Sequence, residues 1–541
     1  MIMAMDPDHT RPHQSRPAPQ PMGYGGAPLV ESMTIHTRPR VTRRGNPVVP
    51  PDPGTPASRL LAVLLTIVLA GSAILWQNIG QERRDDLIKA PPLPVQVQAA
   101  DEPAPGGMTD MMARAMLRLR GFAAGEPSAG ESLMTNIVAT ADSAPDRVRV
   151  VIAEAELVGE RAALDRIGAV RDHLLALDLD AELSGEDLEA AEANRELALE
   201  ELDILESIYT AGPDSLDPAA RDRLTARYGD LGAFALAHGG PESARDAAVG
   251  GAGPLMLLGL GVMAIVGFGL LVGSVLLVYG IVWYADRRTV MRCEKPMPGG
   301  SVMLETYALF VGCFALMSFG GAVAEAHGSE AVRQAVGVAQ LPAQWLLTVT
   351  VLWPLVRGMS GRDWRRAVGL TRGQGVAREA VCGLLVYLAS VPLYLIGVVI
   401  TMLLMMLWEV VRRQQGAGGE PAPISNPIFE LVATRNVVVI ALVFTLATVW
   451  APITEELIFR GALYRHLRGR LHWVVAALLS AALFAYLHAY GPLMVAPLIA
   501  LGFMFAFMRE WRGSIIAPMT AHFLHNATLL TLAITAVWII G

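Results

Sequence analysis

Cysteine is scarce in this 541-residue chain. Cys293, Cys313 and Cys382 are the three present; they lie far apart with no CxxC, and none falls in the long polar segment. That spacing argues against a disulfide framework and against a zinc cage built on cysteine. Charge is also sparse: Asp, Glu, Lys and Arg together make 17% of residues and leave a net charge of −7. A chain of this balance lacks the basic surface that nucleic acid requires, so no nucleic-acid partner is expected. What fills the space is apolar. Hydrophobic residues make 53% of the chain, in recurrent runs long enough to span a bilayer.

Five regions follow from the composition. Residues 1–58, rich in Pro, Gly, Arg, His and Ser with no apolar period, read as a disordered cytoplasmic tail. "LLAVLLTIVLAGSAILW", within 59–79, stands too far from the N-terminus for a cleaved signal peptide and reads as a signal anchor. Residues 80–250 are polar and acidic, with helical periodicity in "LEAAEANRELALEELDILESIY". They read as an exocytoplasmic helical domain for docking or regulation, with a protein partner, or as a solvated spacer. Residues 251–339 supply further membrane helices, and 340–541 a final bundle.

The expected fold is all-α: a polytopic membrane helix bundle of about nine spans with an inserted soluble helical domain. Beyond the anchor, the spans are 254–283, 303–323, 341–356, 380–409, 436–467, 473–490, 492–508 and 513–540. Gly269 and Gly273, in "GFGLLVG", match GxxxG, which close helix packing explains. If the spans alternate, Arg287, Arg288 and Arg292 share one side with Arg362, Arg365, Arg366 and Arg372, and with Arg465, Arg468, Arg470, Arg509 and Arg512. By the positive-inside rule that side, and the N-terminus, is cytoplasmic. The Ala-, Gly- and Arg-rich composition points to a bacterial cytoplasmic membrane.

Three of these spans carry groups that lipid rejects. "WAPITEELIFRG" holds Glu455, Glu456 and Arg460; "LFAYLH" holds Phe484 and His488; "HFLHN" holds His522, His525 and Asn526. Phe484 and His488, and likewise His522 and Asn526, stand four apart and share a helix face. Glu456 and Arg460 are spaced for a helical ion pair, which leaves Glu455, turned by about 100°, free to face elsewhere. Counted from the basic edges at about 1.5 Å per residue, Glu455 and His488 lie roughly 20 Å deep, and His522 and Asn526 roughly 15 to 20 Å. Groups from three helices therefore meet at one level, and a buried polar chamber is expected. Packing is the default for Phe484 and His525.

A carboxylate in a low-dielectric pocket holds its proton more tightly than in water, which suits a general base near neutrality. Glu455 and His488 are placed to activate water for attack on an amide carbonyl. His522 and Asn526 would stabilise the oxyanion. No serine or cysteine in these motifs has a base beside it, which disfavours a covalent acyl-enzyme. Glu and two His also suit Zn²⁺, but HExxH is absent and Arg460 would repel a cation, so no cofactor is expected. The rivals are a metal-dependent version of the same protease and a non-catalytic immunity or scaffold protein.

"EELIFRG", "LFAYLH" and "HFLHN", in this order, resemble the EExxxR, FxxxH and HxxxN motifs of the CPBP family. That family includes type II CAAX prenyl endopeptidases and bacterial lysostaphin-resistance-like and bacteriocin-associated membrane proteins. The resemblance covers roughly the last 200 residues. It implies an intramembrane glutamic endopeptidase with a conical cavity, acting on a membrane-associated protein or peptide, in CAAX-type or bacteriocin-type processing. It further implies Glu455 as catalytic glutamate, His488 as its partner in activating water, Glu456 and Arg460 as structural or supporting residues, and an oxyanion site of His522 and Asn526. The family pattern leaves out everything before about residue 250.

Overall fold

A computed structural model of the chain describes residues 52–79, 107–122, 127–177, 186–414 and 431–541, except Ala139, Asp142, Thr434, Ala489 and Pro492, together with Arg84, Leu87 and Ala104. The tail read over residues 1–58 therefore lies, up to residue 51, outside the described residues. All regular structure among the described residues is helical.

Nine helices carry the apolar runs. They are α1 (Pro56–Asn78), α2 (Gly253–Ala285), α3 (Val302–His327), α4 (Ala339–Val356), α5 (Val376–Gln414), α6 (Val437–Arg468), α7 (Trp473–Tyr486), α8 (Ala496–Arg512) and α9 (Ile516–Ile540). Polar residues mark their ends. Thr55 and Ser58 form a capping box at the start of α1, and the side chain of Asn436 accepts the Val438 and Val439 amides at the start of α6. Gly513, at φ 70°, ends α8 in the left-handed region that a side chain would strain.

Seven of the nine are long and apolar enough to cross a membrane, which corrects the expected count of about nine spans. The exceptions are α7, with 14 residues, and α8, with 17 residues ending in "REWR". At 1.5 Å per residue they reach only about 21 and 26 Å, short of a hydrocarbon core of about 30 Å.

The helices nevertheless alternate in direction, and hydrogen bonds at their ends show it. At one end Arg468, in the last turn of α6, donates to Glu510 near the end of α8 (2.9 Å), as does the Tyr464 hydroxyl (2.7 Å). Arg512 forms a two-pronged pair with Glu379 at the start of α5 (2.8 Å each). The Arg292 amide donates to the Glu510 carbonyl, and Arg465 pairs with Asp52 just before α1. At the other end Arg435, before α6, donates to the carbonyl of Gly541, after α9 (2.6 Å). The arginine clusters after α2, α6 and α8 thus gather at one basic end.

Helix α2 packs on α5 through Gly269 and Gly273, its two buried residues. A Cβ on Gly273 would lie 2.2 Å from the Leu388 carbonyl oxygen. That carbonyl has no α-helical donor, because the residue four further on is Pro392. The glycine lets α2 close over it, as expected of the GxxxG match.

Between α1 and α2, helices from Met108 to Val249 build a core of their own around Val148, Val151, Ile152, Leu202, Leu205 and Leu231. Helix Ala144–Leu157 is buried on nearly every side. Arg149 is held inside by Asp146 (2.9 Å) and Asp110 (3.4 Å). A solvated spacer has no such interior. This domain meets the bundle at the end away from the arginine clusters: Arg118 donates to the carbonyls of Val249 and Ile539, and Met111 packs with Leu341, Val443 and Leu530.

Candidate active site

The first motif does not lie on a regular α-helix. Pro452 has no N–H, and its ring would strike the carbonyl of Thr448 in an unbroken helix. Helix α6 relieves this by widening into π-helical turns over Leu446–Trp450 and again over Glu456–Leu463, with a short α-helical piece, Ala451–Glu455, between. Glu455 and Glu456 stand at the junction.

Glu456 and Arg460 are both 0% exposed and pair at 2.8 Å (Nη1 to Oε1), the i, i+4 contact expected from their spacing. The second guanidinium nitrogen donates to the Gly502 carbonyl on α8 (3.1 Å). The guanidinium lies over the rings of Phe484 (4.5 Å to centroid) and Phe505 (5.1 Å). Arg460 therefore ties α6 to α7 and α8 at once. His522 reaches the same carboxylate from α9, with Nδ1 3.1 Å from Glu456 Oε1.

Glu455 faces away from that pair, towards the two histidines. Its Oε2 lies 4.0 Å from Nε2 of His488 and 3.9 Å from Nε2 of His522, and this buried oxygen has no hydrogen-bond partner among the described residues. Nδ1 of His488 is 2.7 Å from the Phe484 carbonyl. A carbonyl only accepts, so Nδ1 carries a proton and Nε2 is the nitrogen turned towards Glu455.

Phe484 packs among all of these groups: 5.2 Å from Phe459, 4.6 Å from His488 and 6.0 Å from His522, centroid to centroid. His525 turns the other way, against Tyr394 (5.3 Å) and Tyr387 (6.1 Å) of α5. The structure thus brings Glu455, His488 and His522 to one space, with Glu456, Arg460 and Phe484 behind them. Asn526 stands apart in its bonding, its amide donating to the Ala447 carbonyl (2.7 Å). Among the described residues no cluster of three or more His, Cys, Asp or Glu is arranged to hold a metal ion.

Three contributors escaped the sequence reading. Phe505 stacks on His522 (5.3 Å, 27°), and Gly502, three residues before it on one helix face, receives Arg460. "GFMF" is an ordinary apolar run, and only its helical spacing could have singled it out. Asn78, at the end of α1, donates to the Tyr486 carbonyl (3.0 Å) where α7 stops, two residues before His488. An asparagine in the last turn of an anchor helix carries no signal for a partner 408 residues away.

Residues 437–528, which hold every one of the motif residues, match the family model of type II CAAX prenyl endopeptidases, Rce1-like. A Bacillus subtilis (strain 168) protein described as "Uncharacterized protein YpbD" is 30% identical over 104 residues, or 19% of this chain and 49% of that protein. The chain thus spans about half the length of the curated relative it matches. No solved structure matches. With seven helices among its described residues fit to cross a bilayer, the chain is a multi-pass integral membrane protein.

Proposed function

We propose that this protein is an intramembrane endopeptidase that hydrolyses a peptide bond of a membrane-associated protein or peptide with water activated by Glu455 and His488. The observation that carries the reading is the approach of Glu455 Oε2 to both histidine Nε2 atoms at 3.9 and 4.0 Å. Such separations exceed a direct hydrogen bond and suit groups that share a water molecule. Glu455 takes one water proton while His488 Nε2 accepts a hydrogen bond from the other, and the oxygen forms a bond to the substrate carbonyl carbon. His522, its Nδ1–H held by Glu456, offers Nε2–H to the oxyanion when its ring is protonated. Collapse of the tetrahedral intermediate breaks the C–N bond, and the proton on Glu455 passes to the departing amine. Glu456 and Arg460 do no chemistry in this scheme; they neutralise each other and fix the ring of His522.

The substrate class follows the family: C-terminal processing of the CAAX type, or processing tied to bacteriocins. The basic end of the bundle is assigned to the cytoplasm by the positive-inside rule, which puts the N-terminus inside and the 107–249 domain outside. The test is full-length protein in nanodiscs, incubated with a library of membrane-tethered peptides and read by mass spectrometry. Glu455→Gln should lower cleavage by a factor of about a hundred or more while the melting temperature holds. Undiminished cleavage by Glu455→Gln would refute the assignment. Loss of activity with a chelator, restored by Zn²⁺, would replace the water scheme with a metal-dependent one.

A further inference from the structure

The Ala447 carbonyl lies in the first π-helical segment of α6 and has neither its α-helical nor its π-helical donor. The α-helical donor would be the Ala451 amide, which bonds instead to the Leu446 carbonyl. The π-helical donor would be residue 452, a proline without an N–H. What reaches this carbonyl is the side-chain amide of Asn526 on α9, at 2.7 Å. A backbone acceptor left bare within the bilayer costs several times what a bond in water returns, so this contact is strongly favoured. The same stretch of backbone leads, within eight residues, from Ala447 to Glu455.

We infer that Asn526 is a positioning residue: its amide replaces the helix donor that Pro452 removes, pinning the wide turn of α6 to α9 so that Glu455 faces His488 and His522. This deepens the reading above and rests on it for the role of Glu455. It differs from the oxyanion role that the family resemblance implies, because it makes Asn526 act through the backbone of α6. His522 and Asn526 leave α9 four residues apart, so one helix face holds both the Glu456 carboxylate and the carbonyl of the wide turn. The register of α6 against α9 is thereby set at two points that straddle Glu455.

The experiment is a double-mutant cycle on the full-length protein in nanodiscs, read first by melting temperature and then by cleavage. Asn526→Ala should lower the melting temperature by about 3 °C or more, and lower kcat about tenfold with KM little changed. Pro452→Ala supplies a backbone N–H for the wide turn. In that background the further loss from Asn526→Ala should shrink by at least half in both readouts. Asn526→Asp, melted at alkaline pH where its ionised carboxylate sets an acceptor against the Ala447 carbonyl, should melt below Asn526→Ala at the same pH. Should Pro452→Ala not fold, this comparison decides alone. Equal losses from Asn526→Ala in both backgrounds, or an Asn526→Asp protein as stable as Asn526→Ala, would overturn the inference. The melting arm needs no substrate: if the wild type cleaves nothing in the library while the cycle shows coupling, the endopeptidase reading fails and the structural pin stands.

Discussion

Replacing Arg460 with methionine removes the cation while keeping much of the stem's bulk. What remains is Glu456, wholly buried, with His522 Nδ1 at 3.1 Å as a donor and Oε2 without a partner among the described residues. Deleting one member of a buried pair costs about 3–5 kcal/mol, because the other charge is left uncompensated. Loss of the guanidinium over Phe484 and Phe505 adds up to about 2 kcal/mol. The hydrogen bond from His522 Nδ1 to Glu456 offsets part of this. The expected destabilisation of Arg460→Met is therefore about 3 kcal/mol, or a factor of more than a hundred in the folding equilibrium. The assay is reversible denaturation in mixed micelles, followed by tryptophan fluorescence, for wild type, Arg460→Met, Glu456→Gln and the double variant. The double variant should be more stable than Arg460→Met alone, since no unpaired charge remains. A loss below about 1 kcal/mol for Arg460→Met, the scale of an exposed pair, would refute the account of Arg460 as the tie between α6, α7 and α8. So would a double variant no better than the single.

Two further outcomes test contacts made by residues outside the family-matched stretch 437–528. Asn78→Leu strips the donor from the Tyr486 carbonyl and should lower cleavage several-fold, with a loss of about 1 kcal/mol in stability; unchanged rates would show that α1 does not help set His488. Gly273→Val drives a side chain into the Leu388 carbonyl 2.2 Å away and should cost about 2 kcal/mol or more in denaturation, whereas Gly280→Val, with open space around it, should be neutral.

The repetition of apolar runs made an all-helical membrane bundle legible from the sequence, because length and hydropathy are local and lipid admits few alternatives. The pairing of Glu456 with Arg460 was legible too. A four-residue spacing brings the two side chains together on the α-helix that the reading assumed, and the wide turn observed there keeps their contact. Depth counting from the basic edges placed Glu455, His488 and His522 near one level, and the observed approaches of 3.9 and 4.0 Å are what such counting can reach. Span number was less legible. Leu487 and Ala489 carry the hydropathy past the end of α7, so a window over 473–490 sees a span where the chain folds 14 helical residues.

What the sequence by itself determined is thus the set of helices, their alternating order and which motif residues share a helix face, all consequences of periodicity along one chain. What only the tertiary structure decided is the partners across chains of contacts: Gly502 and Phe505 for Arg460, Asn78 for Tyr486, and Asn526 for a carbonyl that Pro452 leaves without a donor. The reason is physical. A proline announces a missing N–H in the sequence, but which distant side chain satisfies the freed carbonyl depends on how neighbouring helices register, and that is settled by packing in three dimensions.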